Sequence, residues 1–482
     1  MSKRILGVLL IVFVVLDLAL SFWQNYQFPL DGDLVGIVLP AQWYTQILHD
    51  PFGWSVLTHN AVYAATNRFF VHATMGLYWK NVPLLLQYFI SPISSLYAAS
   101  ALFTTAVQAS LLFLLAVYIR QVSGGPRGHW SLWVVAALLV PLFQTEGFYE
   151  QMGVTDRAVT YTSFYGYPMS LLLVLLWPFY RAACQQQPLR VSLLQALLLM
   201  ALMLVVAFSG PIATASIAVL LLGIGVHWAW GHWQTGLHHM RLNTLMRGWL
   251  SWQAAGLLAL LAVLCLYSMY IGRNNAENSH DHTLRQLYQL LPIGVYIQLT
   301  HQAGLLVLLG LLLFNAQLVR WLVPASPERQ RVLLILRWVG LFAVVFILLL
   351  PLGGYRTYRP HLLRNDSVLP VLLGLFFAYG VSTYFLLFQL KGGMRASYLT
   401  VVCLFGAYFM YADRKLEMPA NNGCERWSMD QLARAQEPVV RLVNFCNVMT
   451  WAPLGDYHES DLNAQMLYYW HVTPVKKLYY QQ

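Results

Sequence analysis

The sequence predicts an all-α, polytopic membrane protein with about 11 transmembrane helices, a long first outer loop carrying amphipathic helices, and a small outer C-terminal tail. Three observations carry that prediction. Of 482 residues, 58% are hydrophobic and only 10% are charged, whereas a soluble domain carries about a quarter charged residues. The mean hydropathy is +0.55. Apolar runs of about 20 residues, the length that lets a helix satisfy its own backbone across lipid, recur along nearly the whole chain.

The first run, 5–22, follows Lys3 and Arg4. It is long for a secretory signal core, and no small-x-small cleavage pattern follows it. Trp23 and Tyr26 stand where interfacial anchors belong, so the run reads as an uncleaved first span. The remaining runs lie near 97–119, 130–146, 167–181, 191–209, 212–230, 250–271, 292–314, 333–352, 367–390 and 396–411. The third and the eleventh are short.

Charge placement tests this layout independently. With the N-terminus in the cytoplasm, roughly 14 bases face that side against one acid, Glu328. The other side is nearly balanced, with roughly 15 bases and 17 acids. The net charge of +10 therefore expresses orientation in a membrane and gives no reason to expect nucleic acid. The expected location is a multi-pass inner (plasma) membrane, with the C-terminus non-cytoplasmic.

Two divisions follow: residues 1–411 as a transmembrane domain that includes the outer loop 24–96, and residues 412–482 as the outer tail. The loop is far longer than a simple connection. Its segments 34–48 and 61–79 read as amphipathic helices on the membrane surface, with Trp43, Tyr44, Phe69, Phe70 and Trp79 at headgroup depth. In the tail, an oxidising compartment would permit a bridge between Cys424 and Cys446. Cys184, Cys265 and Cys403 read as apolar packing residues.

Three clusters can carry chemistry. Asp31-Gly32-Asp33 puts two carboxylates beside a flexible glycine just after the first span, where one could act as a general base or hold a divalent cation against phosphate. Its bland reading is a polar turn. Glu146, Glu150, Asp156 and Arg157, with Tyr149, Tyr161, Tyr165 and Tyr167, suit a sugar, whose hydroxyls seek hydrogen bonds and whose apolar faces pack on rings. The same residues also suit a solvated loop with interfacial tyrosines. Arg356, Arg359 and Arg364 run against the inside-positive trend, and their planar forks match phosphate oxygens. Bulk anionic headgroups or nearby acids would serve them too.

Elsewhere the signals are thin. Asp17 is the one clearly intramembrane acid, close enough to the helix end to snorkel, and His301 and Gln302 read as helix contacts. His227, His232, His238 and His239 lack a compact ligand pattern, so no metal is assigned. There is no Walker A loop, GxSxG elbow or HExxH helix, which weighs against nucleotide-driven transport and zinc proteolysis.

The layout resembles the GT-C class of membrane glycosyltransferases, which place an acidic residue or pair early in a long first outer loop and often carry a C-terminal outer domain. Asp31 and Asp33 match that acidic position, 34–96 the loop and 412–482 the tail. The resemblance implies transfer of a sugar from a polyprenyl-phosphate donor to an acceptor on the non-cytoplasmic side, as part of cell-envelope chemistry. Asp31 or Asp33 would be the base, and Arg356 and Arg359 would hold the phosphate. Arg364, Glu146, Glu150, Asp156 and Arg157 would line the substrate site. The implied partners are a lipid-phosphate-linked sugar, membrane lipids and other envelope proteins; any cofactor beyond a divalent cation stays open. No WWD signature is present, which weighs against peptide-directed transfer. Two other readings compete. One is a transporter or flippase for a lipid-linked or anionic substrate, for which more intramembrane polar groups and repeated halves are expected. The other is a non-catalytic subunit of an envelope complex.

Overall fold

Lipid offers backbone groups no hydrogen bonds, so apolar runs of this length close their own ladders as helices. A computed structural model describes residues 3–123, 128, 130–149, 151–234, 248–278, 281–353, 361–414 and 421–481. Among the described residues nine helices are long and apolar enough to cross a membrane: Arg4–Gln27, Pro92–Val122, Val159–Gln185, Pro211–Trp230, Trp252–Gly272, Gly304–Leu322, Pro327–Gly353, Leu369–Gln389 and Gly392–Asp413. Two shorter apolar helices, Ser131–Leu142 and Leu193–Ala207, stand where the third and fifth spans are expected. The fold is all-α and polytopic. Its strands among the described residues are Val439–Arg441 and Leu478–Tyr480, paired in parallel in the tail.

The expected eighth span, 292–314, is not one helix. Leu284–Thr300 and Gly304–Leu322 are separate, and the break falls at His301, Gln302 and Ala303. Gln151 explains the break, because it serves both helix ends. Its amide donates to the carbonyls of Gln298 and Gln302, and its Oε1 accepts from Leu305 N at 3.1 Å. End groups that would otherwise lack partners are thereby satisfied.

After α1 (Lys3–Gln27) the chain forms three short helices, α2 (Leu34–Val38), α3 (Gln42–His49) and α4 (Trp54–His59). It continues into α5 (Phe69–Leu86), which turns at 87–91 and packs back along α6 (Pro92–Val122). At 31 residues, α6 is about 46 Å long, well beyond a hydrocarbon core of about 30 Å. Its first turns therefore have length to spare as a wall for α5 and the tail. This corrects the surface-anchor reading of Trp79. Trp79 is fully buried against Trp470, with ring centroids 5.8 Å apart, and its carbonyl accepts the Trp470 indole N–H at 2.8 Å.

The tail holds itself together by local means suited to a small unit. Cys424 and Cys446 form a disulfide with Cα atoms 6.2 Å apart. Buried Lys477 donates from Nζ to the carbonyls of Leu432, Ala433 and Ala435, closing the end of the helix Gly423–Arg434. Arg426 lies against the rings of Tyr26 and Tyr97, at 4.6 and 3.9 Å from their centroids, which fixes the tail to α1 and α6.

Candidate active site at the Asp-Gly-Asp rim

At one rim of the bundle, hydrogen bonds join segment 28–33 to Thr160 and to the tail, and Glu277 comes alongside through Tyr44. Asp31 is buried there. Its carboxylate accepts from Thr160 Oγ1 at 2.8 Å, Thr160 N at 3.2 Å and Asp33 N at 3.1 Å. Thr160 opens the helix Val159–Gln185, so Asp31 acts as a tertiary cap on orphan N–H groups of that helix. Burial pushes the Asp31 carboxyl up to about 6, against the opposing pull of the Thr160 bonds.

Asp33 differs. It is half-buried, and its Oδ1 accepts the indole N–H of Trp451 in the tail at 3.0 Å. Trp451 also packs on Tyr161, with centroids 6.0 Å apart. The glycine between the two aspartates serves close approach more than flexibility, because a Cβ there would sit 2.6 Å from Trp451 N. The pair thus divides into a sealed residue that fixes the turn and an accessible one at its mouth.

Beyond Asp33 stands a second polar group. The Tyr44 hydroxyl donates to Glu277 Oε1 at 3.0 Å, and Arg68 Nη1 lies 3.6 Å from Glu277 Oε2. Burial first, then Glu277 and Asp33, pushes the Tyr44 phenol well above its usual range, so it remains a donor. His72, in the first turn of α5, packs between the tilted rings of Tyr44 and Phe164, with centroids at 5.0 and 5.4 Å. Burial, reinforced by Arg68, pushes its imidazole down to about 3, so it is neutral. Phe164 belongs to a π-helical turn, Thr162–Gly166, that interrupts the long helix and presents the ring to Arg68 at 5.4 Å. Gly210, at φ 121°, lets the chain pass Arg68, whose Cγ would lie 3.6 Å from a Cβ there.

The other expected site residues are distributed as follows. Glu146 is buried and pairs with Arg157 at 3.6 Å, and Arg157 lies 5.5 Å from the centroid of Phe28. Asp156 accepts from Ala158 N at 2.8 Å in a local turn. All three border the strip that carries Asp31 and Thr160. The loop 145–147 is held by Asp413 Oδ1, which accepts from the backbone N–H of Thr145, Glu146 and Gly147 at 2.8–2.9 Å. Arg364 pairs with Asp366. Glu150, Arg356 and Arg359 lie outside the described residues. Among the described residues no three His, Cys, Asp or Glu side chains gather as metal ligands would.

In the sequence Tyr44 reads only as an interfacial ring, and Arg68, His72 and Glu277 do not stand out. One signal was readable: Arg68 and His72 stand four apart in a largely apolar stretch, the spacing of neighbours along one helix face. Glu277 comes from a turn about 200 residues away, and no local pattern points to it. Compared with known families and with curated proteins, the chain matches none.

Proposed function

We propose that this chain is a membrane glycosyltransferase of GT-C layout, moving a sugar from a polyprenyl-phosphate donor to an acceptor hydroxyl on the non-cytoplasmic side, with its C-terminal tail on that same side. The observation that carries the reading is the split within the aspartate pair. Asp31 is sealed and capped onto a helix start, whereas Asp33 stands half-buried at the mouth, beside Trp451 and within electrostatic reach of Tyr44. That is the arrangement a general base needs, with one carboxylate held in place by its neighbour.

In the proposed step, Asp33 takes the proton of the acceptor hydroxyl as its oxygen attacks the anomeric carbon. A new C–O bond forms to the acceptor, the bond to the lipid phosphate breaks, and the electron pair leaves with the phosphate. One displacement inverts the anomeric centre. Asp31 is a positioning residue. Arg356 and Arg359 remain the proposed holders of the leaving phosphate, together with any divalent cation.

The test is transfer of radiolabelled sugar from polyprenyl-phosphate donors by purified protein in lipid nanodiscs. Asp33→Asn is expected to cut turnover on the order of 100-fold or more with folding intact. Full activity in that variant would remove Asp33 as the base. Movement of unmodified lipid without bond cleavage would turn the assignment to a flippase.

A further inference from the structure

Three buried side-chain atoms within seven residues have no partner in the structure: Thr66 Oγ1, Arg68 Nε and His72 Nε2. The residues are 0%, 9% and 3% exposed. An unsatisfied buried polar atom costs about 1–3 kcal/mol, so each of the three carries hydrogen-bonding capacity that a ligand would fill. The backbone beside them is strained as well. Ala65, fully buried, sits at φ 63° in the left-handed region that non-glycine residues avoid, and Asn275 Oδ1 holds its N–H at 2.9 Å. Strain of that kind persists where surrounding contacts over-determine it, and it concentrates at binding sites.

The surroundings narrow the ligand. The Glu277 carboxylate lies beside Arg68, accepts from Tyr44 and acts electrostatically on His72, whose ring is flanked by those of Tyr44 and Phe164. Arg68 is the one cation described in this group. Glu277 lies 3.6 Å from it, and Asp33 acts on the same Tyr44. Two carboxylates against one guanidinium disfavour a phosphate. They favour a neutral ring bearing several hydroxyls, which can accept from Arg68 and Thr66, donate to Glu277 and lay an apolar face on an aromatic ring.

We propose that Thr66, Arg68, His72, Tyr44 and Glu277 form the subsite for the sugar ring beside Asp33. The choice of a sugar rests on the glycosyl-transfer reading. The subsite differs from the phosphate-binding role proposed for Arg356 and Arg359.

The test uses the full chain in nanodiscs, titrated with free glucose, galactose, mannose, N-acetylglucosamine and arabinose and, in parallel, with inorganic pyrophosphate. Binding is read as a saturable rise in melting temperature. At least one monosaccharide is expected to protect the wild type, and pyrophosphate is not. The near-isosteric Thr66→Val and Glu277→Gln should each weaken that protection about tenfold, while melting without ligand shows that they fold. Asp33→Asn should still bind the sugar. Sugar binding retained in a transfer-dead Asp33→Asn supports both readings; sugar binding with normal transfer in that variant removes the base and leaves the subsite standing. Protection by pyrophosphate alone, by no sugar, or equally in wild type, Thr66→Val and Glu277→Gln would overturn the subsite.

Discussion

Glu425 and Arg68 are both buried at the same rim, yet one cluster is complete and the other is not. Glu425 accepts from Leu30 N and Tyr97 OH at 2.9 Å and from Met449 N at 2.8 Å, so a single carboxyl ties the first loop, α6 and the tail together. Arg68 and His72 carry nitrogens that face no acceptor, next to a strained Ala65. Burial of a polar group therefore says little about its task. What differs is how far the protein itself fills the group's hydrogen-bonding capacity: the Glu425 carboxyl is fully engaged, whereas Arg68 and His72 each keep a nitrogen for the proposed sugar.

The largest effect that would break this contrast concerns the complete cluster. Glu425→Ala strands three buried donors and should cost the docked tail roughly 4 kcal/mol, read as limited proteolysis of 421–481 or loss of its hydrogen-exchange protection. Unchanged protection would mean that the tail is held by other contacts. Next is the disulfide. Cys424 and Cys446 are 22 positions apart, and replacing both with serine should lower tail stability by about 3 kcal/mol, measured by the same exchange experiment.

A smaller effect sharpens the comparison through pH. Burial raises Glu425 from 4.5 to about 7 and lowers His72 from 6.5 to about 3. A carboxyl raised in the folded state contributes stability that is full below about 4.5 and is lost as pH climbs through about 7. An imidazole depressed in the folded state contributes stability present above 6.5 and lost as pH falls toward about 3. After correction for intrinsic exchange rates, protection of the tail should weaken from pH 5 to about pH 8, while protection of residues 66–72 should weaken in the opposite direction. Parallel trends would contradict the assignment of the two groups.

Much of the fold was legible because lipid imposes a length rule on every span. Among the described residues nine long helices and two shorter ones stand on or beside the apolar runs, and the bridge that position only permitted between the two tail cysteines is formed. What escaped depended on tertiary partners. Trp79 reads as a surface anchor until Trp470 covers it, and 292–314 reads as one span until Gln151 serves a break at 301–303. At the site, Asp31 and Asp33 were visible as a pair, but their different exposures arise from Thr160 and Trp451. Those residues lie about 130 and 420 positions away, beyond any local pattern. Arg68 gains its meaning from Glu277 in the same way.

Glycosyl transfer on the non-cytoplasmic side requires the rim to face away from the cytosol. Tyr88, at the turn between α5 and α6, is 83% exposed and adjoins the tail through Gln87. A single cysteine placed there by Tyr88→Cys, with Cys184, Cys265 and Cys403 replaced by serine, can be labelled by a membrane-impermeant thiol reagent in intact cells. Full labelling before lysis is expected. Labelling only after the membrane is opened would put Asp33 and its neighbours on the cytosolic face and contradict transfer on the non-cytoplasmic side.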